Sequence, residues 1–263
     1  MADLLSVEGL RRDLEIVRAA VTRLHPGALR YQDAQGLESA LGALERDWSR
    51  PRTLRQAYLD LSRFLATIRC GHTYANFFNQ SDPVQDALFH QEDRLPFSFR
   101  WIEGKMTVTG DATHDGALPI GTVVAEVDGV TVREWAAALL PYVKGDGLRN
   151  EKRLADLEIT GTGYQAGDLY GNLVFPPGGR FAELKVQRPD EEAVQVIQVR
   201  RLDREVRARR LFPEGPPSAD ALWEYRDLEP ELGYLRLGTF STWNLKRDWK
   251  AFLSESLDKL RGK

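Results

Sequence analysis

Residues 66–77 read ATIRCGHTYANF and mark the point where one hydrophobic period gives way to another. Upstream, apolar residues recur every three or four positions, the spacing of a helix buried along one face. Leu10, Leu14, Val17, Val21 and Leu24 form one such stripe, which Pro26 ends. Leu37, Leu41, Leu44 and Trp48 form a second. Thr53, with Gln56 three residues later, is a capping box that opens a third helix, buried through Ala57, Leu61, Phe64, Leu65 and Ile68. Residues 1–70 therefore read as a small helical domain.

Downstream of Gly71 the period falls to two, with the glycine and proline punctuation of strands. Strands are expected near residues 95–101, 105–110, 121–127, 130–132, 181–187 and 194–199. The Asp128-Gly129 pair inside GTVVAEVDGVTV is a hairpin signal, because both residues tolerate positive φ. Residues 134–143 and 151–158 read as helices. The fold class is α+β: residues 71–93 read as a strand-rich connection and 94–200 as a sheet carrying helices. The run RRLDREVRARR, interrupted by acids, reads as a solvated or ion-paired face, and with the following FPEGPPSAD it marks a linker over 201–228. Residues 229–263 hold one strand, GYLRLGTF, and an amphipathic helix through Trp249, Phe252, Leu257 and Leu260. A strand and one helix cannot enclose a core alone.

The chain has 263 residues, 42% hydrophobic and 29% charged, with no apolar run long enough to span a membrane. A net charge of −3 from 36 basic and 39 acidic residues provides no field for nucleic acid. The single cysteine, Cys70, excludes an internal disulfide and a multi-cysteine zinc site. The N-terminus MADLLSVEGLRRDLE has no signal-peptide pattern, so the literal reading is cytoplasmic; a leader removed before Met1 would instead mark an exported protein.

Candidate chemistry is sparse. His25, His90 and His114 fall on separate elements without metal-ligand spacing, so no metal site is expected. His25, before Pro26, suits a helix C-terminus, and His90 and His114 suit polar loops. Gly161 to Gly167 reads as a loop, with neither Rossmann nor Walker spacing, and no Gly-x-Ser-x-Gly elbow occurs. Cys70 and His72 could form a nucleophilic pair, although sequence neighbours rarely reach the required geometry and a buried, inert cysteine explains Cys70 as well. His72 differs by position, at the junction of bundle and sheet, where an imidazole could serve as a general base.

The order of these features resembles the C-terminal-processing and tricorn-type serine peptidases: HPGALRY, then IRCGHTYANF after a helical bundle, LPFSFRWIEGKMTVTG, GTVVAEVDGVTV, PYVKGDGLRNEKRLADLE and finally ELGYLRLGTF. The resemblance implies a PDZ-like domain over 94–200 and, from residue 229, the first strand and helix of a peptidase core. It implies a polypeptide substrate, no cofactor, and His72 as catalytic base, as in tricorn-type members; in the serine–lysine branch His72 would be structural. Arg69-Cys70 stand where the family commonly has an acidic or small residue and a second glycine. Arg94-Leu95-Pro96-Phe97 is the nearest match to a carboxylate-binding loop, which makes Leu95 and Phe97 the expected substrate contacts.

The family's Asp-x-Arg-x-Asn-x-Gly-Gly stretch and nucleophilic serine do not occur before Lys263. The expectation is thus the N-terminal, substrate-recognition part of a serine-type endopeptidase, inactive alone. Two alternatives are a non-catalytic peptide-binding or scaffold protein of the same descent and a Cys–His hydrolase.

Overall fold

The computed structural model describes residues 4–161, 163, 165–215 and 217–262. The chain forms two compact units, Met1–Pro213 and Glu214–Lys263. It is α+β, as expected.

The first unit opens with a short strand, β1 (Leu4–Leu5), and helix α1 (Val7–Ala19), whose N-cap Ser6 accepts from the Gly9 N–H. A π-helical turn, Ala20–Leu24, carries the helix to His25. Helix α2 (Ala34–Asp47) is capped by Asp33, and strand β2 (Arg52–Thr53) pairs antiparallel with β1. Helix α3 (Leu54–Thr67) begins at the Thr53–Gln56 capping box read from the sequence. The three stripes meet as one core: Leu10, Leu14 and Val21 pack with Leu37, Leu41, Leu44 and Trp48 and with Ala57, Phe64 and Ile68. Burial of these side chains is the main force holding the helices together.

A six-stranded sheet carries the rest of the unit. Its strands are β3 (Phe97–Ile102), β4 (Lys105–Asp111), β5 (Val123–Val127), β6 (Val130–Thr131), β7 (Phe181–Gln187) and β8 (Val194–Arg200). Neighbours are antiparallel in the order β3-β4-β5-β7-β8, with β6 added to β5. Asp128 and Gly129 form the β5–β6 turn with φ of 50° and 78°, the left-handed pair a two-residue hairpin needs. Helix α4 (Asp82–Leu88) precedes the sheet. Helices α5 (Val132–Leu139), α6 (Glu151–Ala155) and α7 (Ala166–Val174) lie between β6 and β7 in the chain. Their buried residues, among them Trp135, Leu139, Leu169 and Leu173, share a core with Phe97, Phe99, Met106, Val124 and Leu184.

Three local expectations change. The connection 71–93 contains no strand among its residues and holds α4 instead. Pro83 sits in the first helical turn, where a missing N–H costs nothing. The residues before it close on themselves: Asn76 Oδ1 accepts from the Phe78 N–H at 2.7 Å and the Asn79 N–H at 3.3 Å, a local turn in place of a strand. In the expected glycine loop, Thr162 and Tyr164 lie outside the described residues, while Ala166 and Gly167 begin α7. Small residues are needed there because α7 packs directly on Leu157 and Trp135; a Cβ on Gly167 would stand 2.2 Å from the Leu157 carbonyl oxygen. The basic run of the expected linker folds as helix α8 (Arg204–Leu211), capped by Asp203.

That helix is held by charge rather than apolar surface. Arg207 is buried and forms a two-pronged pair with Asp168 of α7, Nη1 donating to Oδ1 at 2.8 Å and Nη2 to Oδ2. Arg94, also buried, donates to the Asp168 carbonyl oxygen at 2.9 Å. Burial opposes ionisation of Asp168, yet the Arg207 guanidinium outweighs it and keeps the carboxyl below its ordinary range.

In the second unit a hairpin of β9 (Trp223–Glu229) and β10 (Leu232–Leu237) precedes helix α9 (Trp249–Arg261). The sequence anticipated β10 and α9; β9 begins in the segment read as linker and ends one residue beyond it. The Trp223 ring packs on Phe252 with centroids 5.8 Å apart, and Arg247 Nε donates to Asp220 Oδ1 at 3.3 Å.

Candidate functional site

After α3 the chain turns on Arg69, a non-glycine residue at φ 56°. This left-handed conformation is held from outside: the Arg69 carbonyl accepts from the Gly147 N–H at 3.0 Å, and its Nη1 donates to the Gly147 carbonyl at 3.4 Å. A turn follows in which the Thr73 N–H donates to the Cys70 carbonyl at 3.0 Å, leaving Gly71 and His72 at its two central positions. His72 is thereby pushed outward and exposed, where an extended segment would have set it on one face with Cys70.

The turn is tied to the end of the first helix through His25. Nδ1 of His25 accepts from the Gly27 N–H at 3.1 Å, so the ring proton belongs on Nε2, which donates to Thr73 Oγ1 at 2.7 Å. His25 does close a helical turn, as the sequence indicated, with its backbone N–H donating to the Ala20 carbonyl. Its side chain has the second task of fixing the corner, and only the partner 48 residues away reveals it.

A cavity of about 840 Å³ opens between these segments, lined by His25, Leu29, Arg30, Tyr31, Cys70, His72, Thr73 and Asp146. Asp146 approaches the turn closely: a Cβ on Gly71 would lie 3.5 Å from that of Asp146. Gly147, at φ 82°, brings the same loop against Tyr31. Both nitrogens of His25 are engaged, whereas His72 forms no hydrogen bond or ion pair among the described residues. Cys70 lines the same cavity and packs against the helical core, and no hydrogen bond joins its Sγ to either histidine among the described residues.

Leu95 and Phe97 lie elsewhere. Leu95 lines a separate cavity of about 320 Å³ with Val127, Trp135, Ile159, Asp168, Phe175 and Arg201. Phe97 is fully buried, its ring 6.3 Å from that of Phe99. His72 and these two residues are thus not brought together. No group of three or more metal-binding side chains converges among the described residues, and no described helix is long and apolar enough to cross a membrane.

No family model and no curated protein matches this sequence. Solved structures do. The chain is similar in fold to CPAF, a chlamydial serine protease of the tail-specific-protease-like kind. Mature CPAF complexed with lactacystin aligns at a TM-score of 0.50 and 14% identity, and a mutant form of CPAF at 0.51 and 14%. A further structure of mature CPAF aligns at 0.47 and 13%. In each case the alignment covers 74% of this chain and 34% of the other, so the chain corresponds to about a third of the proteins it matches. The relationship is distant and establishes the fold.

Proposed function

We propose that this chain is the N-terminal, polypeptide-recognising part of a serine-type endopeptidase and forms one wall of its active site. The carrying observation is the cavity at the Cys70–Thr73 turn, where an exposed and unengaged His72 stands beside a fully engaged His25. His72 is assigned as the general base, taking the proton of a nucleophilic hydroxyl. No Gly-x-Ser-x-Gly or glycine-rich oxyanion segment is present in the 263 residues, and removing a nucleophilic serine typically costs about 10⁶ in kcat. The chain alone is therefore proposed to bind polypeptide without cleaving it.

The sheet with α5 and α7 is proposed as the PDZ-like recognition domain, with Leu95 at its side-chain pocket between the β5–β6 hairpin and α7. Residues 229–263 are proposed as the opening of the peptidase core. Phe240 and Trp243, 80% and 81% exposed there, are proposed to meet the rest of that core.

The test is incubation of the purified chain with a permanently unfolded polypeptide, such as reduced and alkylated α-lactalbumin. Complex formation with intact polypeptide supports the proposal. Cleavage, or absence of binding, overturns it.

A further inference from the structure

A second cavity, of about 390 Å³, opens at the same corner two residues beyond His72. Its walls are largely apolar, including Phe77, Val143, Leu169 and Tyr170, and Lys144 lines it beside Tyr74. Lys144 Nζ lies 4.1 Å from the centroid of the Tyr74 ring. Among the described residues it makes no hydrogen bond or ion pair, and the ring face lies against it. The carboxylate sharing the cavity, Asp156, is already paired with Lys152. Burial holds the Lys144 ammonium below the ordinary lysine range, with the charge of Lys152 pushing the same way and Asp156 and Cys70 opposing. A half-buried cation with no direct ion pair is incompletely compensated by a π face and the more distant charge of Asp156, and a carboxylate within hydrogen-bond reach is the group that completes it.

We propose that this cavity receives the side-chain carboxylate of an acidic residue in the bound polypeptide, with Lys144 as its counter-ion. The inference rests on the polypeptide-binding reading and adds a preference to it. The apolar walls accept the methylene stem of a glutamate, whereas inorganic phosphate or sulfate has no apolar part to bury there. With a rise of about 3.3 Å per extended residue, Tyr74 stands within about 7 Å of His72 along the chain. A cavity that leaves its cation unpaired discriminates against the neutral isostere, so glutamine is rejected relative to glutamate.

The test uses the full chain and two N-acetylated, C-terminally amidated octapeptides of alanine, leucine and serine. They are identical except for glutamate or glutamine at the fourth position. Calorimetry is expected to show the glutamate peptide binding about 10-fold more tightly, a preference lost in Lys144→Met and in Lys144→Gln. In the unmodified protein, a saturating glutamate peptide is expected to slow acetylation of Lys144 by acetic anhydride while Lys152 reacts unchanged, as read by mass spectrometry. Equal binding of the two peptides, a preference that survives both substitutions, or unprotected Lys144 overturns the inference. If neither octapeptide binds while unfolded α-lactalbumin does, the charge preference falls and the polypeptide-binding reading stands; if nothing binds, both fall.

Discussion

Nε2 of His25 lies 2.7 Å from Oγ1 of Thr73, joining the last turn of the first helix to the turn that presents His72. The contact links helical bundle to cavity wall, and it makes His25 a positioning residue. His25→Ala leaves the Gly27 N–H and the Thr73 hydroxyl without their partner. A cost of about 1–3 kcal/mol is expected from the orphaned groups. A double-mutant cycle with Thr73→Val, followed by denaturant unfolding, should return a coupling near 1 kcal/mol, and zero coupling would remove the link.

The two histidines should differ in reactivity. Towards diethyl pyrocarbonate the lone pair of a ring nitrogen is the nucleophile; in His25 that lone pair accepts from the Gly27 N–H and the other nitrogen carries the proton bonded to Thr73. His72 is exposed and unengaged. Mass-spectrometric mapping should find His72 modified at least about 10-fold faster than His25, the factor that about 1.4 kcal/mol of hydrogen-bond protection provides. Equal rates would mean the corner is not fixed as described.

The Asp168–Arg207 pair should dominate the response of the first unit to acid. Asp168→Asn removes the charge and leaves Arg207 buried without its counter-ion, for an expected loss of about 3–5 kcal/mol. Because the folded-state value of Asp168 lies below the unfolded one, its stabilisation is present above the unfolded value near ~4 and is lost as pH falls through the folded value. The difference between wild-type and Asp168→Asn unfolding curves should therefore be constant at neutral pH and shrink below about pH 4. Taking the difference cancels Asp60, whose carboxyl burial pushes the other way, but not Asp93, whose carboxyl burial also raises and which feels the charge of Asp168.

Gly167→Ala should destabilise by about 3 kcal/mol or more, since its Cβ would meet a backbone oxygen that cannot swing aside. Gly178, with nothing within 4 Å of its would-be Cβ, provides the control: Gly178→Ala should leave the denaturation midpoint within about 0.5 kcal/mol of wild type.

What the sequence made legible was local. Leu10, Leu14 and Val21 repeat at the helical period, Thr53 and Gln56 cap within one turn, and Asp128-Gly129 turns a hairpin unaided, so each was readable from a short window. What escaped depends on distant partners. Arg207 meets Asp168 39 residues earlier, and in a window its neighbours look like a solvated basic face. Helix α7 is hidden by the glycines that let it pack on Trp135, because glycine argues against a helix when no packing is in view. His72 was legible as a junction residue, while His25 was not, since nothing near His25 names Thr73 as its partner. Leu95 and Phe97 both reached the core, Leu95 also at the wall of a cavity, a distinction that alternation along a strand start does not draw.

The most direct measurement is to mix the purified chain with reduced, alkylated α-lactalbumin and follow both partners, the polypeptide by mass spectrometry and the chain by hydrogen exchange. A substrate-binding wall without its nucleophile should leave the polypeptide intact and gain protection at residues 25–31 and 70–74. Fragments that appear with the unmodified chain, or unchanged exchange at both segments, would contradict it.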